Sequence, residues 1–571
     1  MLANLADLAA FYSSSAGLIA IWTLVPTVLV AAGVTWAYRP ELAIAGSGWG
    51  DRSATTSRRT TIIAGCILAT YLAAYAYLLF HKEDLIGADF SQLTAQRFYP
   101  MPIWTRNGRF FPFGLQEYNV ISAVFGRSAT MYHLFSALQL LGVLASIAVI
   151  LRGTPAWYRM VAMLVITSAT SFVVPFFGLV FPERDLVFWI AIFVACYLAF
   201  LGSGRRRYFC GVVVAAQFAL YYKEPAFLLV GGFAGARLLL HALGSPELRA
   251  HRYVEFARRQ WCELALLSLA AVFVVLYLVL IVPHMGGSYA GPPREGGTWR
   301  TLEQYARTDL VLVGFGIVFA LRMLACVRTK RLPDPFWDAL AFGAILYGLA
   351  IVKLQLIREQ YMSPVDFVGI LYMARVGYDA LRNSRRSLVF ASAAAVALVT
   401  WQNVHDSASF LVRRKLFVDG NVQIVQFLRA ATNDHQSSQI RLYFPQVAGF
   451  QLMEFSAFLA YKGLHVAGER DANSTGRPTF VITGPHQYPN DQCFESQAFR
   501  CGYSAAPKSG DLIVFLPGRE KSDAELEKWR KSSEAVFTYR PSLSAIDRVL
   551  MHLAFVDEAA TTWSNAYAFR H

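Results

Sequence analysis

Acidic and basic side chains meet at short intervals along this chain, each time squeezed between long apolar runs. Phe181-Pro-Glu-Arg-Asp sets Glu183, Arg184 and Asp185 side by side, and Tyr221-Tyr-Lys-Glu-Pro sets Lys223 beside Glu224. Ile357-Arg-Glu-Gln-Tyr-Met-Ser-Pro brings Arg358 and Glu359. A longer stretch, 81–129, opens with Glu83, Asp84 and Asp89 and later carries Asn107-Gly-Arg-Phe, with Arg109. In this setting a carboxylate is a ready general base, and lysine or arginine is a ready partner for a phosphate. Ionisable groups next to apolar runs are costly to keep and mark function. Ion pairs between helices would explain any one of these segments; a site that needs both signs explains all of them together.

The elements that must position these residues are membrane spans. Of 571 residues, 55% are hydrophobic and 16% charged, and mean hydropathy is +0.39. A soluble domain carries nearer about 25% charge. Apolar runs long enough to cross the hydrocarbon core cover Ala16–Tyr38, Thr61–Phe80, Thr130–Leu151, Met160–Val180, Leu186–Leu201, Leu264–Val282, Leu310–Cys326, Phe336–Lys353, Met362–Leu381 and Leu388–Trp401. Between Tyr208 and His241 a further apolar stretch is broken at Lys223-Glu224-Pro225, which predicts two short helices meeting at one membrane face. The expected fold is a polytopic α-helical membrane protein of about twelve spans with a C-terminal extracytoplasmic α/β domain.

Lys and Arg crowd alternate loops, among them Arg205-Arg206-Arg207, Arg249 to Arg259, and Arg328 to Arg331. By the positive-inside rule those loops are cytoplasmic. Segments 81–129, 181–185, 222–225, 283–309 and 354–361 then share the outer side, so every cluster named above faces the same way. The segment before Ala16 has no basic stretch or cleavage site, so that first run reads as a retained span. Within 283–309, Gly286-Gly-Ser-Tyr-Ala-Gly-Pro-Pro-Arg-Glu-Gly-Gly has the composition of a mobile lid or of a plain linker. In the first loop, Leu115, Tyr118, Ile121 and Phe125 recur at helical spacing, as in a helix lying along the interface.

Charge density becomes ordinary after about residue 403, so 1–402 form the membrane domain and 403–571 the soluble one. Ile440–Phe444, Thr479–Thr483 and Leu512–Leu516 read as buried strands; Phe455–Lys462 and Ser522–Ser532 read as helices. Cys493 and Cys501, apart from the singly scattered thiols of the spans, would close a disulfide in an oxidising compartment or stand as free thiols. The net charge of +14 does not point to nucleic acid, because the aromatic residues sit in apolar runs and not on a basic face.

The long acidic first outer loop, the many spans and the soluble domain after the last of them resemble the GT-C membrane glycosyltransferases. The segments that carry the likeness are Glu-Asp…Asp-Phe (83–90), Asn-Gly-Arg-Phe (107–110), Pro-Glu-Arg (182–184), Tyr-Lys-Glu (222–224) and Arg-Glu-Gln-Tyr-Met-Ser-Pro (358–364). The class includes bacterial mannosyl- and arabinosyltransferase-type enzymes that use polyprenyl-phosphate sugars. The resemblance implies a bacterial inner membrane enzyme with its C-terminal domain in the periplasm. It implies Asp89 as catalytic base, then Asp84 or Glu83. Glu183, Asp185 and Arg109 would place an acceptor (glycan, lipid or protein), and Lys223, Arg358 and Arg184 would hold the donor phosphate. Members differ over a divalent metal; no compact carboxylate cluster here demands one, so no cofactor is expected. The chain departs from the class by an additional early span and by lacking an adjacent Asp-Asp pair in the first loop. A lipid or solute transporter is the alternative, and it would place polar groups at mid-membrane on broken helices.

Overall fold

A computed structural model of the chain describes residues 2–13, 25, 27–33, 58–78, 98–286, 297–381, 386–434, 439–445, 449–466, 479–484, 502–503, 506–517, 523–554 and 565–571. It divides into two compact units. One comprises Met1–Ala73, Pro100–Ala123 and His133–Asn403; the other comprises Ala74–Tyr99, Val124–Tyr132 and Val404–His571.

The first unit is helical. Among the described residues five helices are long and apolar enough to cross a membrane: Ala129–Ile150, Glu183–Ser203, Ala226–Gly244, Trp261–His284 and Leu310–Thr329. A bent pair, Ala156–Ser168 and Thr170–Phe177, makes a sixth if counted as one span. The chain is thus a multi-pass membrane protein, but the count of about twelve does not follow from helix length and apolarity. Two expected spans are shorter than that criterion, since Arg206–Tyr222 and Trp337–Lys353 have 17 residues each. Most of Ala16–Tyr38 lies outside the described residues, although 27–33 is helical.

The run Met160–Val180 departs from the single straight span expected. It bends by 62° at Ala169, whose backbone is extended. A break in lipid frees backbone carbonyls that must find partners inside the protein. The Thr167 carbonyl accepts a hydrogen bond from Tyr71 at 2.5 Å; the Phe176 carbonyl, freed where the second helix ends, accepts one from Ser136 at 3.0 Å. The predicted break at Lys223-Glu224-Pro225 is where Arg206–Tyr222 gives way to Ala226–Gly244.

The helix that follows Ser363–Leu381 runs from Arg386 to Asp434, 49 residues, far past Trp401 where the apolar run ends. In the second unit a six-stranded sheet has the order β5-β4-β3-β6-β8-β7. Its strands are β3 (Gln439–Tyr443), β4 (Thr479–Gly484), β5 (Gly502–Tyr503), β6 (Leu512–Phe515), β7 (Glu534–Tyr539) and β8 (Ala566–Arg570). Strands β3 to β6 are mutually parallel, with helices Gly449–Tyr461 and Asp523–Ser532 following β3 and β6; β8 and β7 extend the sheet antiparallel. Tyr443, Ile513, Phe515, Leu526, Trp529, Tyr567 and Phe569 form a core on one face. Lys415 ties the long helix to helix Ala545–Leu553 through Asp547 at 3.0 Å. Cys493 and Cys501 lie outside the described residues.

Candidate functional site

The outer segments that read as separate clusters join into one chain of contacts within the first unit. It begins at a hairpin. Strands β1 (Ile103–Trp104) and β2 (Arg109–Phe110) pair antiparallel around Thr105–Asn107. Gly108 closes the turn at φ +68°, and a Cβ there would meet Met285 Sδ at 2.7 Å. Tyr277 donates to the Gly108 carbonyl at 2.9 Å and Gly286 N–H to the Arg106 carbonyl at 3.0 Å, which docks the hairpin.

The docked turn presents Arg109 to Glu224. Arg109 Nε lies 2.7 Å from Glu224 Oε1, and the Phe110 N–H donates to the same oxygen at 2.9 Å. Burial alone would raise the Glu224 carboxyl; Arg109 and Lys223 outweigh it and hold the group below the ordinary glutamate value. The next residue, Lys223, turns to the following helix. Its Nζ lies 2.6 Å from Glu183 Oε1 and 4.8 Å from the Tyr361 ring centroid. Proline at the N-terminal end of both Glu183–Ser203 and Ala226–Gly244 sets these residues at the outer helix ends, because it has no N–H to lose there.

Beside Glu183, Arg184 is fully buried. It reaches Glu117 Oε1 at 2.9 Å, Asp185 Oδ2 at 3.2 Å and the Tyr118 hydroxyl at 2.5 Å. Gln139 donates to Asp185 Oδ1 at 2.5 Å. Glu117 and Tyr118 belong to helix Gln116–Phe125, the one expected along the interface; Tyr118 and Ile121 are buried, and Phe125 is exposed. The Glu117 carboxyl is pushed well above its usual range, first by burial and then by Asp185. Carboxyls outnumber cations in this network. Glu117, Glu183, Asp185 and Glu224 face Arg109, Arg184 and Lys223. Buried polar atoms are also left over, namely Glu117 Oε2, Gln139 Oε1 and the Tyr347 hydroxyl. Tyr347 sits close enough to Glu183 and Glu224 to feel their charge, with its side chain fully buried.

Arg109, Glu183, Arg184, Asp185 and Lys223 are thus brought together. Arg184, read from the sequence as a phosphate partner, is surrounded by carboxylates and a phenol of its own chain. Arg358 stands differently: it is exposed and has no ion pair among the described residues. Its peptide N–H donates to Tyr305, whose hydroxyl donates in turn to the Leu356 carbonyl at 2.7 Å. The turn that follows it, Glu359–Met362, carries the Tyr361 ring under Lys223. Asp89, Asp84 and Glu83 lie outside the described residues. Sequence reading passed over Gln139 and Tyr347, each inside an apolar run, and gave no role to Tyr361 within its 358–364 segment; a polar atom on a buried helix face is the one signal that marks the first two.

At the other end of the same helices a second polar network forms. Arg237 Nε meets Glu263 Oε1 at 2.8 Å, Tyr197 donates to the same oxygen at 2.5 Å, and Arg237 also donates to the Pro335 carbonyl. Arg322 meets Asp338 at 2.7 Å, and Tyr372 donates to that carboxylate at 2.7 Å. Tyr197 lies about 20 Å along its helix from Glu183, on the side the basic loops mark as cytoplasmic.

No protein-family model matches this sequence, and no curated protein does. Among solved structures the chain is similar to ArnT from Cupriavidus metallidurans bound to undecaprenyl phosphate. Identity is 15%, the TM-score 0.43, and the alignment covers 89% of this chain and 98% of that one.

Proposed function

We propose that this protein is an integral membrane glycosyltransferase that moves a sugar from a polyprenyl-phosphate donor to an extracytoplasmic glycan, lipid or protein. The observation that carries the reading is the outer network. Acid and base groups pair at one end of apolar helices, and an exposed arginine, Arg358, lies on the turn that carries Tyr361 beside Lys223. A polyprenyl phosphate has an apolar chain that needs lipid and a phosphate that needs cations at the interface. Exposed Arg358 supplies one such cation; Lys223, paired with Glu183, supplies a second when the phosphate takes the place of that carboxylate, and Glu183, Asp185 and Arg109 serve the acceptor.

The chemistry is a direct displacement. A first-loop carboxylate, Asp89 by preference and otherwise Asp84 or Glu83, takes the proton of an acceptor hydroxyl. The oxygen attacks the anomeric carbon, the bond from that carbon to the phosphate oxygen breaks, and the configuration inverts. The polyprenyl phosphate leaves as a stable anion, so positive charge suffices and no general acid is required. The scheme uses no cofactor. It belongs in a bacterial cytoplasmic membrane with the C-terminal domain on the periplasmic side.

The test is transfer by the purified protein from labelled polyprenyl-phosphate sugars to a membrane extract, compared with Asp89→Asn. Transfer that disappears in a folded Asp89→Asn protein supports the scheme and its base. Transfer that persists moves the base to Asp84 or Glu83. Wild-type protein that transfers from no donor but carries the lipid across vesicles overturns the reading.

A further inference from the structure

A second carboxylate site lies in the same unit, and among the described residues no ion pair reaches it. Asp366 sits in the first turn of helix Ser363–Leu381, 3% exposed. The charged group that acts on it is Asp309, of like sign, at a distance where the two carboxyls interact directly. Asp309 caps helix Leu310–Thr329, accepting from the Leu312 N–H at 3.0 Å. Glu359 adds a third negative charge to the surroundings of Asp309. Ser171, 5% exposed, turns its hydroxyl toward Asp366, yet neither Ser171 Oγ nor Asp366 Oδ1 completes a hydrogen bond in the described structure.

The 62° bend brings Ser171 here, because Ser171 is in the short helix Thr170–Phe177 that follows the break. Two like charges at this depth would repel strongly, and a buried polar atom without a partner costs about 1–3 kcal/mol. The arrangement is therefore incomplete as it stands. Two carboxylates and a hydroxyl are a hard, oxygen-only donor set, and a doubly charged ion matches the two negative charges.

We propose that Asp309, Asp366 and Ser171 form the protein side of a binding site for a divalent cation of the calcium or magnesium type, completed by water. The site joins the start of helix Leu310–Thr329 to the second half of the bent pair and to the start of helix Ser363–Leu381, which follows segment 354–361. An ion there would fix the turn that carries Arg358 and Tyr361. It lies apart from the displacement scheme above and does not depend on it.

The experiment is thermal unfolding of the full-length protein in detergent, stripped with a chelator and titrated with calcium or magnesium chloride against sodium chloride of equal ionic strength. The expected result is a melting temperature that rises with the divalent salt and saturates. Asp366→Asn removes the rise, and Ser171→Ala, which keeps both charges, moves its midpoint to at least several-fold higher concentration. A wild-type melting temperature that ignores divalent salt overturns the proposal; so does an unchanged response in both variants. Stability that depends on acidification alone overturns it too, since the carboxyls then share a proton. If Asp366→Asn fails to fold, the Ser171→Ala midpoint decides.

Discussion

The same helices carry a polar network at each end, and the two are built differently. At the end nearer the basic loops Arg237 is matched to Glu263 and Arg322 to Asp338, with tyrosines and carbonyls filling the remaining hydrogen-bond positions. None of those side chains has a buried polar atom left over, although Arg159 Nε and Nη1 and Gln260 Oε1, on the same side, do. At the outer end carboxyls exceed cations, Glu117, Gln139 and Tyr347 keep unused polar atoms, and Arg358 is exposed. A closed network holds helices together; an open one is poised for a substrate. Proteins commonly give up local satisfaction where they work, so the difference separates scaffold from site.

That contrast breaks if the inner pairs prove dispensable. Arg237→Met leaves Glu263 charged and buried without its partner, and a destabilisation of about 3–5 kcal/mol is expected, read by denaturant unfolding in detergent. Transfer per folded molecule should hold. A double change, Arg237→Met with Glu263→Gln, should recover much of the loss.

At the outer end the order of effects reverses. Lys223→Met combined with Glu183→Gln removes the pair without stranding a charge. Its transfer rate should fall about 10²–10³-fold while it melts closer to wild type than Lys223→Met alone. Equal losses of rate and stability would make this pair a second scaffold.

The hairpin offers a smaller effect. Gly108→Ala forces a side chain into φ +68° and against Met285 Sδ, at a cost of about 1–2 kcal/mol. Because the turn positions Arg109, the acceptor KM should rise more than kcat falls.

The smallest effect is in pH dependence, where two outer carboxyls have opposite signs. The contribution of Glu224, whose value is depressed, is fully present above the ordinary glutamate value and lost as pH falls through the lower folded one. Glu117, whose value is raised, contributes below the ordinary value and loses that contribution as pH rises through the higher folded one. Glu117→Gln, which cannot ionise, should flatten the loss of stability as pH rises through the raised folded value. An unchanged decline in the variant would contradict the raised value of Glu117.

Much of this was legible in the sequence because it is local. A charged pair followed by proline marks the break at Lys223-Glu224-Pro225, and β-branched runs mark β3, β4 and β6. The bend at Ala169 was not legible, since Met160–Val180 reads as one apolar run and the break depends on Tyr71, far away in sequence, to satisfy Thr167. Nor was the length of helix Arg386–Asp434, because helical periodicity continues while the solvent changes around it. Strands β7 and β8 were missed for a related reason. They extend the sheet antiparallel, and β7 is largely exposed, so its alternation is weak. The cation site escaped because Ser171, Asp309 and Asp366 meet only in three dimensions. Asn107-Gly108, by contrast, carried a usable hairpin signal that a loop reading passed over.

The most direct measurement is single-turnover transfer from a polyprenyl-phosphate sugar by Arg358→Ala, with melting temperature recorded on the same preparation. Arg358 has no ion pair to lose among the described residues, so a structural role predicts no change in either quantity. The account predicts a transfer rate about a hundredfold lower at an unchanged melting temperature. A rate equal to wild type would contradict the assignment of the outer network to the donor phosphate.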